Sequence, residues 1–256
     1  MPVRVEAADR VLTLTIDREE RRNALNPEVL TGLRDGFRSV VGDASIGAVV
    51  LTGAGDKAFC AGADLGGMTP DGKLDAHFAR GAIVEVIEAM QRCGKPVVAR
   101  VNGAALAGGF GLLCACDLAV STDDATFGLP EIRSGLWPFI VSAAVRARLP
   151  ESIALELMMT GRKASATEME RWGLLNRVVP RDQLDAATSD LCAQLTDKSA
   201  MTMRLGKDSW VTTRTMERRA AMEHLHAMLG LCLETEDVVE GVTAFFQKRT
   251  PEWKHR

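Results

Sequence analysis

The chain has 256 residues, of which 46% are hydrophobic and 25% charged, with a formal net charge of −3 and a mean hydropathy near zero, the balance of a soluble globular protein able to bury one large core. Its 31 Lys and Arg residues are scattered among 34 Asp and Glu, so the charge pattern marks no nucleic-acid or anionic-membrane surface and a small-molecule partner is expected. No apolar run approaches the roughly 18 residues of a membrane span, and the first residues match neither a signal nor a transit peptide, so the expected location is cytoplasmic.

Met1 to Val5 runs straight into a strand-like pattern, and Leu12, Leu14 and Ile16 alternate with Thr13, Thr15 and Asp17 at the period of a half-buried strand. Asn26 followed by Pro27 is an N-cap with proline at the first helical position, which predicts a helix through about Val41. Ile46 to Thr52 is a short apolar run that predicts a buried strand. Leu74 to Arg92 carries apolar residues at helical spacing, with Gly94 and Pro96 as the stop. Val97 to Val101 predicts another buried strand, and Leu106 to Cys116 an apolar helix of small residues. The alternation predicts an α/β protein. Thr167 with Glu170 predicts a capping box before a short helix ended by Gly173, and Asn176 to Val179 a last strand. Strand signals stop beyond about Leu184, and Met216 to Leu233 and Asp237 to Lys248 are amphipathic. The division expected is an α/β core over 1–190 and a helical region over 191–256.

Six cysteines, among them Cys114 and Cys116, form no CxxC pair and have no metal-ligand spacing with the four histidines, so free, mostly buried thiols and no metal site are expected. His224 and His226 are two apart on a predicted helix and cannot share a ligand face. The chain has no tyrosine, which removes any mechanism that needs a phenolic acid.

Three segments can carry chemistry. Lys57 to Leu65 (KAFCAGADL) follows a buried strand, and its small residues permit close approach of backbone to a ligand. Val101 to Asp117 (VNGAALAGGFGLLCACD) places Gly108 and Gly109 at the start of an apolar helix, where N–H donors are reinforced by the helix dipole. Gly103-x4-Gly108 is half a phosphate loop, but Gly109 and Phe110 stand where Lys and Ser or Thr are required, and the dinucleotide fingerprint lacks its third glycine at Cys114. In Ala125 to Pro138 (ATFGLPEIRSGLWP), Glu131 lies between strand-like Thr126-Phe127 and apolar Leu136-Trp137, surroundings that raise a carboxyl pKa and suit a base that later acts as an acid.

Together with Arg22-Asn23-Ala24-Leu25-Asn26, Gly161-Arg162, Ala166 to Leu175 and Phe246 to Trp253, these segments resemble the crotonase superfamily and its enoyl-CoA hydratases and isomerases over essentially the whole chain. The resemblance implies a spiral of ββα units with a helical C-terminal region that drives trimer formation, as a homotrimer or a dimer of trimers. It implies an acyl-CoA thioester as substrate, with Ala63 and Gly108 as the two oxyanion-hole donors and Glu131 as the proton carrier. Arg22, Ala24 and Ala61 would line the CoA moiety, Asp64 and Leu65 would flank the pantetheine path, Trp137 would line the acyl site and Lys248 would meet a CoA phosphate. It implies no metal or redox cofactor.

The sequence departs from the hydratases of that family at one point. They use two glutamates, since adding water across a conjugated double bond needs one group to activate the water and another to deliver or share its proton. The second position falls on Glu131 and the first on Gly111, while Phe139-Ile140-Val141 stands where a glycine-rich loop is usual. One carboxylate suffices to take a proton from C2 of a 3-enoyl thioester and return it at C4, so an isomerase-like proton shift is expected ahead of hydration, and ahead of a catalytically silent acyl-CoA binder.

Overall fold

The computed structural model describes residues 2–64 and 74–256, and over 74–80 the backbone alone. Two sheets carry the described fold. The larger has six strands in the order β1-β2-β3-β5-β7-β10, formed by β1 (Val3–Ala8), β2 (Val11–Ile16), β3 (Ala48–Gly53), β5 (Val97–Val101), β7 (Leu118–Thr122) and β10 (Arg177–Val179). β1 and β2 are an antiparallel hairpin, closed by Asp9 and Arg10 at φ 49° and 64°, the pair of positive values that a tight two-residue hairpin requires. From β2 onward every pairing in this sheet is parallel.

The apolar run of β3 is explained by burial on both faces. Val49 and Leu51 join the main core with Leu14, Val97 and Ala99. Val50 turns the other way, onto Val98 and onto Cys192 of α7 (Leu184–Thr196). That helix packs across β3, β5 and β7, so position 190/191 falls inside an element that belongs to the sheet.

The smaller sheet has four strands in the order β4-β6-β8-β9: β4 (Ala58–Cys60), β6 (Ala104–Leu106), β8 (Thr126–Gly128) and β9 (Lys163–Ser165). β4, β6 and β8 are mutually parallel, and β9 closes the sheet antiparallel to β8. The short strands β4, β6 and β9 carry no period long enough to show in the sequence.

Asn26 caps α1 (Pro27–Ser39), its Oδ1 accepting the Val29 N–H at 2.9 Å. α2 (Leu74–Arg92) and β5 have the bounds that the pattern predicts, whereas the apolar helix α3 is shorter, Gly108–Ala115, because Leu106 ends β6. The capping box lies two residues before the expected one: Ser165 and Glu168, not Thr167 and Glu170, cap α6 (Ala166–Arg171) reciprocally. Ser165 is free to cap because it ends β9 with extended backbone, which the local sequence does not signal. Two further helices follow the third segment, α4 (Phe139–Arg146) and α5 (Glu151–Thr160).

The chain ends in α8 (Ala200–Thr213), α9 (Arg218–Leu233) and α10 (Glu236–Gln247). Lys207 of α8 is half-buried, its side chain 7% exposed, and donates to the carbonyls of Met90 and Lys95 and to Asp117 Oδ2 at 2.7–2.9 Å, which ties α8 to the core. Asp237 is buried at the start of α10 and accepts from Ser199 Oγ and from the Lys254 and His255 N–H groups, pinning the last residues beside α8. α9 buries no residue and exposes Met222, Leu225, Leu229, Leu231 and Leu233, and Phe245 and Phe246 are also exposed. All six cysteines are free, five of them buried. Burial raises the thiols of Cys60 and Cys114 to about 12, so they are inert core residues. Among the described residues no helix is long and apolar enough to cross a membrane, and no group of His, Cys, Asp and Glu has a metal-site arrangement.

Candidate active site

The small sheet delivers three candidate residues to one edge. Parallel strands all end on the same side of a sheet, and Ala63, Gly108 and Glu131 follow the C-terminal ends of β4, β6 and β8 by two or three residues. Edges where parallel strands end are favoured ligand sites in α/β proteins, since the loops there converge while the sheet holds them rigid.

The first two turns touch. A Cβ on Gly62 would lie 2.6 Å from the Ala107 Cβ and 3.2 Å from the Gly108 nitrogen, so only glycine permits this approach. Gly62 also sits at φ 96°, which a side chain would strain further. Ala63 pairs with Leu25 as an isolated parallel bridge. In that pairing Leu25 N–H donates to the Gly62 carbonyl at 2.8 Å and Asp64 N–H to the Leu25 carbonyl at 2.9 Å, which leaves the Ala63 N–H outside the ladder. Gly108 is the first residue of α3, where a helical N–H has no acceptor within the helix. Among the described residues neither N–H donates to another group.

The preceding residue, Ala107, holds φ 51° and ψ −124°. A non-glycine residue in that region costs roughly 1–3 kcal/mol and persists only where its surroundings enforce it. Here the Ala107 N–H donates to the Gly128 carbonyl at 2.9 Å, extending the β6–β8 ladder by one bond.

Gly128 leads through buried Leu129 into the 3-10 turn Pro130–Ser134, which carries Glu131. The turn closes through Gly135 in the left-handed conformation, and Leu136 N–H returns to the Glu131 carbonyl at 3.1 Å. Glu131 is half-buried, and its Oε2 is shielded from solvent with no hydrogen-bond partner among the described residues. Burial pushes its carboxyl above the ordinary value of 4.5, offset in part by a hydrogen bond from its own backbone N–H. An orphaned carboxylate oxygen with a raised pKa is poised to hold or take a proton.

Most of the remaining candidates gather around the first turn. Ala61 N–H donates to the Arg22 carbonyl at 3.0 Å, so Arg22, Ala24, Ala61 and Asp64 occupy one paired patch beside Ala63. Arg22 is exposed and left-handed at φ 52°, and Ala24 is buried. Asp64 is in an ion pair with Arg18 at 2.9 Å, and the same guanidinium donates to the Ala24 carbonyl at 2.8 Å, which pins this patch. Asn23 is buried and holds the turn before β4 by donating to the Ala54 and Ala58 carbonyls. Trp137 is half-buried and packs on the main core. Lys248 is exposed at the left-handed C-cap of α10, and among the described residues no hydrogen bond or ion pair joins it to this group. Leu65 lies outside the described residues.

Gly111 is not an open vacancy. A Cβ there would meet the Val141 Cγ1 and lie 2.5 Å from its Cβ, because α4 packs directly on α3. Val141 at this contact and the strain at Ala107 were not legible from the sequence, since each depends on a neighbour distant along the chain.

Comparison with known proteins finds relatives along the whole length of the chain. The chain matches the enoyl-CoA hydratase/isomerase family over residues 6–256. It is 35% identical over 254 residues to a carnitinyl-CoA dehydratase of Salmonella arizonae, covering 95% of each chain. It is 34% identical over 251 residues to a carnitinyl-CoA dehydratase of Escherichia coli strain K12, covering 96% of this chain and 95% of the relative. Its fold superposes on an enoyl-CoA hydratase from Mycobacterium smegmatis with a TM-score of 0.95 at 32% identity, covering 99% of each chain. With two strand-end turns meeting beside a third that carries a half-buried carboxyl, and with these matches along its length, the chain belongs to the crotonase superfamily as an acyl-CoA enzyme of the enoyl-CoA hydratase/isomerase family.

Proposed function

We propose that the protein shifts the double bond of an enoyl-CoA thioester, with Glu131 as its single proton carrier. The thioester oxygen accepts from the Ala63 and Gly108 N–H groups. Glu131 takes a proton from C2 of a 3-enoyl thioester, and the electron pair delocalises onto that oxygen as a dienolate. The same carboxyl then returns the proton at C4, leaving a 2-enoyl thioester. Preorganised donors stabilise the developing negative charge, each by about 3–4 kcal/mol. The raised pKa of Glu131 brings base and acid closer to the working pH.

The observation that carries the isomerase reading is the contact of Val141 with Gly111. By the family resemblance a hydratase places the first of its two carboxylates there, and in this chain an apolar side chain, that of Val141, meets the position. Arg22, Ala24, Ala61, Asp64 and Leu65 are proposed to receive the CoA and pantetheine groups, Trp137 to exclude water from the acyl site and Lys248 to meet a CoA phosphate, with no metal or redox cofactor. The apolar residues exposed on α9 and α10 support a homotrimer or a dimer of trimers, and a cytoplasmic location is part of this proposal.

The test is to offer 3-enoyl-CoA and 2-enoyl-CoA esters of several chain lengths separately, with Glu131→Gln as control. Isomerisation of the first that disappears in the variant is expected. Fast hydration of the second without isomerisation of the first would overturn the preference. A second reading, elimination of water from a hydroxyacyl-CoA, is favoured by the relatives named carnitinyl-CoA dehydratase at 33–35% identity. It requires a water site built without a side chain at position 111.

A further inference from the structure

We infer that Ala107 is a positioning residue, whose methyl group wedged against Gly62 sets the spacing and aim of the Ala63 and Gly108 N–H donors. This rests on the reading of those two groups as the thioester-oxygen site. The donor N–H of Gly108 belongs to the peptide that joins it to Ala107, and the plane of that peptide is set by ψ of Ala107 and φ of Gly108. At Ala107 the backbone is held at φ 51° and ψ −124°, a conformation open to glycine and strained for alanine.

Three contacts enforce it. The Ala107 N–H is fixed by the Gly128 carbonyl at 2.9 Å, and its own carbonyl accepts the Gly111 N–H at 3.1 Å as the first bond of α3. The methyl lies where Gly62 can carry no side chain, since a Cβ on Gly62 would come within 2.6 Å of it. Leu25 Cδ1, Ile83 Cδ1 and the Gly62 Cα lie 3.2, 3.5 and 3.7 Å from where a Gly108 Cβ would be. The donor peptide is thus held by the Ala107 wedge against Gly62 and by the close packing of Gly62, Leu25 and Ile83 around Gly108. Glycine at 107 would relieve the strain and remove the wedge together, leaving residues 107–109 as three consecutive glycines with the donor peptide free to rock.

The Gly128 carbonyl that anchors Ala107 lies three residues before Glu131, so one hydrogen bond couples the donor turn to the strand that presents the base. The site is therefore tuned as a unit. A residue kept only for folding would be improved by relief of its strain, whereas a positioning residue loses function when the strain is released.

The experiment compares wild type, Ala107→Gly and Ala107→Ser. It reads thermal midpoint, kcat and KM on a 3-enoyl-CoA, and exchange of the C2 protons of butyryl-CoA in D2O, which reports enolate formation whatever reaction follows. For Ala107→Gly the expected result is an unchanged or higher midpoint, with kcat and exchange lowered roughly tenfold and KM little altered, because misaligned donors act on the transition state. Ala107→Ser keeps the Cβ and should stay close to wild type. Undiminished exchange in Ala107→Gly, a midpoint that falls along with the rate, or a serine variant as slow as the glycine one would overturn the inference. A wild type that neither exchanges C2 protons nor shifts the double bond would remove the oxyanion reading and this inference together. A wild type that exchanges, beside an equally fast Ala107→Gly, removes this inference alone.

Discussion

The two sheets are built from similar apolar residues and treat their strand ends differently. In the six-stranded sheet, β3 is buried along its whole length, with one face in the main core and the other on α7. Among the sheet's polar groups Thr52 Oγ1 donates to the Arg100 carbonyl at 2.8 Å and Arg100 pairs with Asp185, while Thr122 Oγ1 at the end of β7 is buried with no partner among the described residues. In the four-stranded sheet every strand has three residues, and the turns beyond three of them hold a strained alanine and, among the described residues, two undonated N–H groups and an orphaned carboxyl oxygen. Long strands satisfy their own backbone and supply stability. Short ones, held between glycine contacts, set positions.

That contrast is testable as a separation of activity from stability. The largest effect is expected at the edge of the small sheet: Glu131→Gln should lower turnover by about 100- to 10,000-fold. It should leave the thermal midpoint unchanged or raised. Because burial lifts the folded-state pKa of Glu131 above its unfolded value, this group's contribution to stability is fully present below the unfolded value and is lost as pH rises through the folded one. Removing the charge at neutral pH therefore relieves the fold. A large loss of midpoint would assign Glu131 a structural role instead.

The mirror result is expected in the large sheet. Leu51→Ala, at a fully buried position, should cost about 2–5 kcal/mol in chemical denaturation, with kcat of the folded fraction unaltered. A matching loss of kcat would mean that the two sheets are not separable. Gly111→Ala lies between them, since its Cβ meets Val141; a cost of about 1–3 kcal/mol is expected from overpacking, relieved by Val141→Ala in the double variant. Additive costs in that cycle would show that the contact is not what closes the position.

The pH dependence sharpens the same contrast. The acid limb of kcat should report the ionisation of Glu131 at a value above 4.5, and it should be absent from the residual rate of Glu131→Gln. The smallest effect is expected at a helix end remote from the chemistry. Ser165→Ala removes one half of the α6 capping box and should cost about 0.5–2 kcal/mol in stability, with kcat unchanged.

Much of the large sheet was legible residue by residue. α2 and β5 begin and end where periodicity and the Gly94-Pro96 stop place them, and Asn26 caps α1 as its type and position predict. The small sheet was legible mainly through its turns: the Ala61–Ala63 and Gly108–Gly109 small-residue runs and the Pro130-Glu131 step stand out in the sequence, while the three-residue strands β4, β6 and β9 do not. The displaced capping box at Ser165 has the same origin, because the extended backbone that lets Ser165 cap α6 is imposed by pairing with Thr126, 39 residues away.

By itself the sequence determined which chemical groups are available: one carboxylate in an apolar segment, two small-residue turns after strands, and no side chain at 111. It did so because residue type and short-range spacing are local properties. Only the tertiary structure decided that Gly62 and Ala107 touch, that Val141 closes the space at Gly111, and that Glu131 Oε2 is buried with no partner among the described residues. Each of those facts is a contact, or a missing contact, between segments brought together by sheet register and helix packing, and a residue cannot carry in its own neighbourhood along the chain the identity of what the fold will press against it.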